Sequence, residues 1–451
     1  MEIPALVHPI IQGFLHEYNL KLWNWCDTFG TPYHLLFPEI FMENINSYKD
    51  IFKKNSVNWK IFFAFKANKS KAFLATALIS WIWVEVSSIF ELRLALSEWF
   101  TWENIMVSWP TKTPEYIKLA IRHKAIIAVD EYGEFNDIKK LANPNDKVQI
   151  FLRINIHGSR FWLTKVQRDN IYANLSDIIS IVWLSFHIND YLIESRIEVI
   201  KYILDEISML SDKHIRISAI NIGWWFTIQY FSSEQWDDLK SKINPNLFYG
   251  NKNFSYFYPY STELGKDGFL NKILQTRFGE YKLSEILNKL WISLIIEPGR
   301  SLLDQSGISI FKIQWVNINE LWESIINVSG NFNHLSEQWF NTDYLPTPYL
   351  LKKSQLANIK DKWKKVKYSI WWNTCMESDI LTYRKINFEH NPEIGDLIIY
   401  FNTAGYQMDS NESTFHHIPI PEKLIVYDLK DNNFKIKLDT LFTEMDLSYN
   451  Y

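Results

Sequence analysis

Ile61-Phe62-Phe63-Ala64-Phe65-Lys66, followed by Ala67-Asn68, is a short apolar run that ends on a lysine. Such a run is the mark of a strand buried on both faces, as in a parallel sheet covered by helices. Seven more apolar, β-branched runs follow: Val84–Ser87, Ile105–Ser108, Ala125–Asp130, Val148–Ile154, Ile181–His187, Ile215–Gly223 and Ile292–Glu297. Helix-like segments separate most of them. One is Phe90–Phe100, where Leu92, Ala95 and Leu96 fall at i, i+3 and i+4. Eight strands alternating with helices predict an α/β fold, a closed (β/α)8 barrel.

From Asp304 onward the rhythm changes. Shorter runs at Ile308–Val316, Asp396–Phe401 and Phe434–Leu438 are broken by polar loops such as Ser329–Thr347, which predicts a second, β-rich domain. The expected organisation is a barrel over residues 32–303 and a C-terminal β domain over 304–451, to which residues 1–31 contribute. A length of 451 residues accommodates both. The basic run Lys360–Lys367 reads as a solvated face.

A formal charge of -4 leaves no electrostatic footprint for nucleic acid or an anionic membrane, so the partners expected are small molecules. Met1–Gly13 does not read as an export signal. The most apolar stretch, Ala72–Leu96, is interrupted by Glu85, Ser87, Ser88, Glu91 and Arg93, too densely for a membrane span. Cys26 and Cys375 are far apart and match no metal-ligand spacing, which suits a reducing compartment, the cytoplasm. His416 and His417 are adjacent and cannot share a metal ligand face, so no metal site is expected.

Lys66 ends the first barrel strand on the side where barrel enzymes carry their chemistry. An amine at the end of an apolar run is desolvated, which lowers its proton affinity and suits it to condense with an aldehyde.

Phe63-Ala64-Phe65-Lys66-Ala67-Asn68 resembles the lysine signature of the pyridoxal-phosphate-dependent ornithine, diaminopimelate and arginine decarboxylase family, whose barrel is of the alanine racemase type. Six further motifs follow in the family's order. Glu85-Val86-Ser87-Ser88-Ile89-Phe90-Glu91-Leu92 resembles its second-strand motif, with Glu85 where aspartate is usual. Ser185-Phe186-His187 resembles the strand whose histidine stacks on the cofactor ring, and Ile222-Gly223-Trp224-Trp225-Phe226 the glycine-rich phosphate loop. Glu297-Pro298-Gly299-Arg300, Asn373-Thr374-Cys375 and Ala404-Gly405-Tyr406 resemble the later hallmarks.

The resemblance implies an amino-acid decarboxylase with pyridoxal 5'-phosphate on Lys66. Glu297 pairs with the ring nitrogen. Gly223, Trp224 and Trp225 supply phosphate-loop backbone, joined at the phosphate by Gly299, Arg300 and Tyr406. His187 stacks on the ring, and Arg153 orients acidic neighbours of Lys66. Cys375 enters the active site of a second subunit and returns a proton, which implies a homodimer with shared sites. Met376 departs from the acid the family places after that cysteine; Glu377 and Asp379 follow, and a carboxylate facing the substrate suits the distal amine of a diamino acid such as diaminopimelate, ornithine or lysine, free or carrier-bound. Two rivals stand beside this reading: an amino-acid racemase on the same barrel, and a catalytically silent homologue that binds a partner.

Composition carries one anomaly: 20 tryptophans against 14 glycines. Trp81, Trp83, Trp99, Trp102, Trp109, Trp162, Trp183, Trp224, Trp225 and Trp372 fall where the family pattern has glycine. Glycine is needed where backbone turns left-handed or approaches an anion closely, and tryptophan does neither well. A gene reading UGA as glycine, rendered with UGA as tryptophan, predicts this placement; a homologue with a plugged phosphate loop is the other explanation.

Overall fold

The computed structural model describes residues 3–156, 162–188, 190–318, 323–335, 341–353, 366–409, 413–428 and 434–448. Of the basic run Lys360–Lys367, all but the last two residues lie outside them.

The first strand, β1 (Tyr33–Leu36), precedes the barrel. The barrel strands are β2 (Trp59–Ala64), β3 (Trp83–Val86), β4 (Ile105–Val107), β5 (Ile126–Val129), β6 (Val148–Arg153), β7 (Ile179–Ser185), β8 (Ala219–Asn221) and β9 (Ser293–Ile296). All pair in parallel, and β9 closes the circle by pairing with both β8 and β2. Each predicted run therefore meets a strand, with shifted ends: β7 stops at Ser185, so His187 lies in the loop beyond it, and β8 shortens to three residues.

Successive side chains of a strand alternate between the barrel interior and the helical layer. On β2, Phe62 points into the interior with Met106, Phe151, Trp183 and Ile295, whereas Ile61 and Phe63 pack against the helices. Both layers are apolar, which explains why the sequence shows continuous rather than alternating hydrophobic runs. The loops leaving β3, β4 and β6 end on Ser88, Thr113 and Thr164, whose side chains accept backbone N–H groups in the first helical turn. The predicted helix Phe90–Phe100 spans Ile89–Ser97 and stops where Trp99 turns to positive φ.

A second sheet is built from β10 (Gly307–Ile318), β11 (Ser324–Val328), β12 (Tyr349–Leu351), β13 (Lys367–Trp371), β14 (Ile380–Asn387), β15 (Leu397–Tyr400), β16 (Glu422–Tyr427) and β17 (Lys435–Leu438). Its order is β14-β13-β11-β10-β1-β16-β17, with β15 pairing β10 and β12. Here a correction is needed: β1, placed with the barrel by the boundary at Pro32, pairs antiparallel with β10 and parallel with β16. Helices Pro9–Tyr18 and Lys21–Phe29 bury Phe14, Tyr18 and Leu22 against the same sheet. Among the described residues, no helix is long and apolar enough to cross a membrane.

Candidate active site

Lys66 lies in the single helical turn Phe65–Ala67 that leaves β2 at the C-terminal mouth of the barrel. Three bonds from the β domain clamp this turn. The Tyr406 amide donates to the Ala67 carbonyl (2.7 Å), Asn68 Nδ2 donates to the Ala404 carbonyl (2.8 Å), and the Lys69 amide donates to Asp409 Oδ2 (2.5 Å). Asp439 adds a cap to the following helix, accepting from Ser70 Oγ and the Lys71 and Ala72 amides. The β domain thereby fixes the backbone that carries the lysine.

Lys66 Nζ donates to Glu85 Oε2 at 2.9 Å. Glu85 sits on β3, opposite Ala64 in the register, which puts its carboxylate beside the lysine turn. It is fully buried and also accepts from Ser87 Oγ (2.8 Å) and from Ser108 Oγ. Burial opposes its charge, but the Lys66 ammonium and the two hydroxyls outweigh that and hold the carboxyl below its ordinary range.

Glu297, just beyond β9, behaves oppositely. Its Oε1 accepts from Asn221 Nδ2 at 2.5 Å, and Asn221 Oδ1 in turn accepts the Gly223 amide at 3.0 Å. Burial, and then the negative charge of Glu85, push the Glu297 carboxyl up to about 7. Two acids flanking one amine thus have separated proton affinities, the arrangement that acid–base chemistry requires. Arg153 is committed elsewhere: Nε donates to Asp130 Oδ1 (2.6 Å) and Nη2 to the Ser108 carbonyl (2.5 Å). Burial opposes its charge, the Asp130 carboxylate prevails, and its pKa rises.

Gly223 has φ +78°, and a Cβ there would lie 2.8 Å from His187 Nδ1, so glycine is required on both counts. The next residue breaks the pattern. Trp224 stacks face to face on His187, centroids 4.9 Å apart at 6°, with Lys66 Nζ 5.2 Å from the indole centroid. The Arg300 guanidinium lies over Tyr258 (4.3 Å) and Tyr406 (5.1 Å). A cavity of about 190 Å³ remains between Trp224, Trp225, Tyr258, Arg300, Thr342 and Tyr406. Gly299 allows the close approach there, since a Cβ would stand 3.0 Å from Ala67 Cβ and 3.1 Å from the Tyr406 hydroxyl.

Lys66, His187, Gly223, Trp224, Trp225, Glu297, Gly299, Arg300 and Tyr406 converge on this mouth, with Arg153 at its edge. Cys375, Glu377 and Asp379 do not join them within the chain. They occupy the loop from β13 to β14, where Cys375 is exposed with its Sγ 4.0 Å from His416 Nε2, and Asp379 is buried and accepts from Thr374 Oγ1. Sequence reasoning missed the roles of Glu85, Asn221 and Asp130, whose positions at strand ends facing the mouth are the one signal that marks them. It also missed Lys112, buried against Glu134 at 2.7 Å.

Residues 41–248 match the model of the pyridoxal-dependent decarboxylase family, specifically its pyridoxal binding domain. This stretch of the chain is similar to that family's pyridoxal binding domain. Among curated proteins, the chain is 26% identical over 446 residues to the uncharacterised protein y4yA of Sinorhizobium fredii, covering 97% of each. It is 22% identical to the L-glutamyl-(BtrI acyl-carrier protein) decarboxylase of Niallia circulans, covering 88% of this chain and 89% of that one. Its fold superimposes on diaminopimelate decarboxylase of Helicobacter pylori complexed with L-lysine with a TM-score of 0.71 at 19% identity, covering 92% of this chain and 95% of that one.

The polar groups fit pyridoxal phosphate: an amine, an acid of raised proton affinity, a buried guanidinium, and a glycine loop. The space does not. The position expected for the cofactor ring from the sequence resemblance, face-on to His187 and beside Lys66, holds the Trp224 indole. Trp225 occupies the adjoining loop, with its indole N–H buried and unbonded. With tryptophan at 224, the face of His187 is filled, and the space left beside Arg300 is about 190 Å³.

Proposed function

We propose that the protein is a pyridoxal 5'-phosphate-dependent amino-acid decarboxylase acting on a diamino acid, such as diaminopimelate, ornithine or lysine, free or carrier-bound. The observation that carries this reading is the Lys66 amine between two buried acids of opposite proton affinity, at the mouth of a closed parallel barrel. The cofactor supplies the electron-withdrawing ring that a departing carboxylate needs.

The geometry supports the following roles for the chain's own residues. Lys66 supplies the anchoring amine, kept in place by Glu85 and by the β-domain clamp on its turn. Glu297, braced by Asn221 and with its carboxyl raised to about 7, would pair with the ring nitrogen of a bound cofactor. Arg300 offers a guanidinium to a phosphate, fixed by the faces of Tyr258 and Tyr406. Asp130 keeps Arg153 in position behind the acids.

Cys375, Glu377 and Asp379 lie outside the Lys66 cluster of their own chain, which supports a homodimer in which this loop completes the site of a second copy. Cys375 there returns a proton, and a carboxylate of Glu377 or Asp379 binds the distal amine. The modest charge, the paucity of cysteine and the lack of a membrane-crossing helix among the described residues support a cytoplasmic setting. One observation favours a second reading, a silent homologue: Trp224 fills the ring position.

Carbon dioxide release from diaminopimelate, ornithine and lysine by protein from its own source tests the proposal. Release from one of them, lost in Lys66→Ala, is expected. Exchange of the α-proton without carbon dioxide favours a racemase, and neither activity favours the silent homologue.

A further inference from the structure

The tryptophans fall into two populations. Trp23 Nε1 donates to the Gly395 carbonyl (2.9 Å), Trp371 Nε1 donates to Ser369 Oγ (3.0 Å), and Trp236 is buried against Phe231 and Tyr260. These side chains are packed, and two of them have their N–H groups bonded, as tryptophan in a core should be.

A second set behaves differently. Trp81, Trp99, Trp102, Trp162 and Trp291 have φ of +52°, +67°, +54°, +80° and +55°. Tryptophan is the commonest non-glycine residue with positive φ among the described residues, five against three asparagines, although asparagine is the type that tolerates this region. Trp81, Trp99 and Trp291 each occupy the position just past a helix end where a left-handed residue closes the last turn. The bonds of that motif are present: Ile82 N–H to the Ala77 carbonyl (3.1 Å), Phe100 N–H to Ala95 (3.1 Å), and Ile292 N–H to Leu287 (2.9 Å). Ser56, Lys124 and His214 show that other side chains do occur with positive φ in this fold. What separates the tryptophans is that their large apolar indoles are also 85%, 70% and 77% exposed, with neither burial nor backbone to favour them.

Trp224 and Trp225 join this second population on other grounds, since they fill the loop and the face of His187 described above. We infer that glycine occupies positions 81, 99, 102, 162, 224, 225 and 291 in the chain its own cell makes, through a UGA codon read as glycine. One reassigned codon produces both populations at once, because UGG still specifies the tryptophans of the core. Glycine removes the backbone strain at the five positive-φ positions and opens the cavity beside Arg300 toward His187 and Lys66. The assignment at 224 and 225 rests on the pyridoxal phosphate reading, whereas the other five stand on backbone geometry alone.

The test is peptide mapping by tandem mass spectrometry of the protein purified from its own cell, with the cofactor absorbance of the same preparation recorded first. Glycine at all seven positions, with tryptophan at 23, 236 and 371, is expected. Tryptophan at any of the seven overturns the inference, whether or not cofactor is bound. Glycine at all seven in a preparation without cofactor upholds it and counts instead against the decarboxylase reading.

Discussion

His187 and Trp224 lie face to face, 4.9 Å between ring centroids and 6° between planes. In the proposed pyridoxal phosphate reading the face of His187 is the place of the cofactor ring, and here a side chain fills it. Replacing Trp224 and Trp225 by glycine in the chain as written should therefore create pyridoxal phosphate binding, with affinity improved at least about tenfold, or 1.4 kcal/mol. Absorbance titration with the cofactor measures this. Equal affinity for both chains would show that Trp224 is no obstacle.

Trp81, Trp99 and Trp291 cap their helices at positive φ while exposed to solvent. Each change to glycine should stabilise the fold by about 1 kcal/mol, the cost of a side chain in the left-handed region. Trp236→Gly should do the reverse, losing about 3–5 kcal/mol as a cavity opens in the core. Urea denaturation distinguishes the two classes, and uniform destabilisation would contradict the strain argument.

Lys66 offsets the burial of Glu85, whose carboxyl is held below its ordinary range. The stability this contributes is present above the unfolded pKa and is lost as pH falls through the folded one. Lys66→Ala should cost about 2 kcal/mol near neutrality, less than a fully buried pair because Nζ is partly exposed. The loss should shrink in acid. A loss independent of pH, followed by denaturation, would assign it to packing instead.

Glu297 carries the opposite sign. Its carboxyl is raised from 4.5 to about 7, so the folded state holds a proton that the unfolded state has already released within that window. Stability accordingly falls as pH rises through it. Glu297→Gln should be stabilising at about pH 8, by about 3 kcal/mol at most, and close to neutral at about pH 4.5. Equal effects at both pH values would remove the buried charge as the cause.

Cys375 sits outside the Lys66 cluster of its own chain. Mixed dimers of Lys66→Ala and Cys375→Ser chains, each inactive alone, should recover about a quarter of the activity, since half the dimers contain one complete site. Carbon dioxide release reports the outcome, and no recovery on mixing would argue against shared sites.

The barrel was legible because its strands are buried on both faces, so runs such as Ile126–Val129 stand out without alternation. Tyr33–Leu36 was assigned to the wrong unit for a related reason. Four apolar-rich residues look alike in either sheet, and only pairing with Gly307–Ile310 and Glu422–Ile425, hundreds of residues away, decides between them. Lys66, Glu297 and Arg300 were readable from local motifs. The Glu85 partnership was not, because it depends on the register that sets Ala64 opposite Glu85. Nor was the clamp by Ala404, Tyr406 and Asp409, which is a tertiary contact with no local trace. Tryptophan at glycine positions was visible as composition, but only φ singled out Trp291, which family pattern had not marked.

Borohydride reduction of the protein from its own source, with mapping of the modified lysine, decides whether Lys66 carries the cofactor. A reduced pyridoxyl group on Lys66 is expected. Stable carbon dioxide release with Lys66 unmodified, or a pyridoxyl group carried by a different lysine, would contradict it.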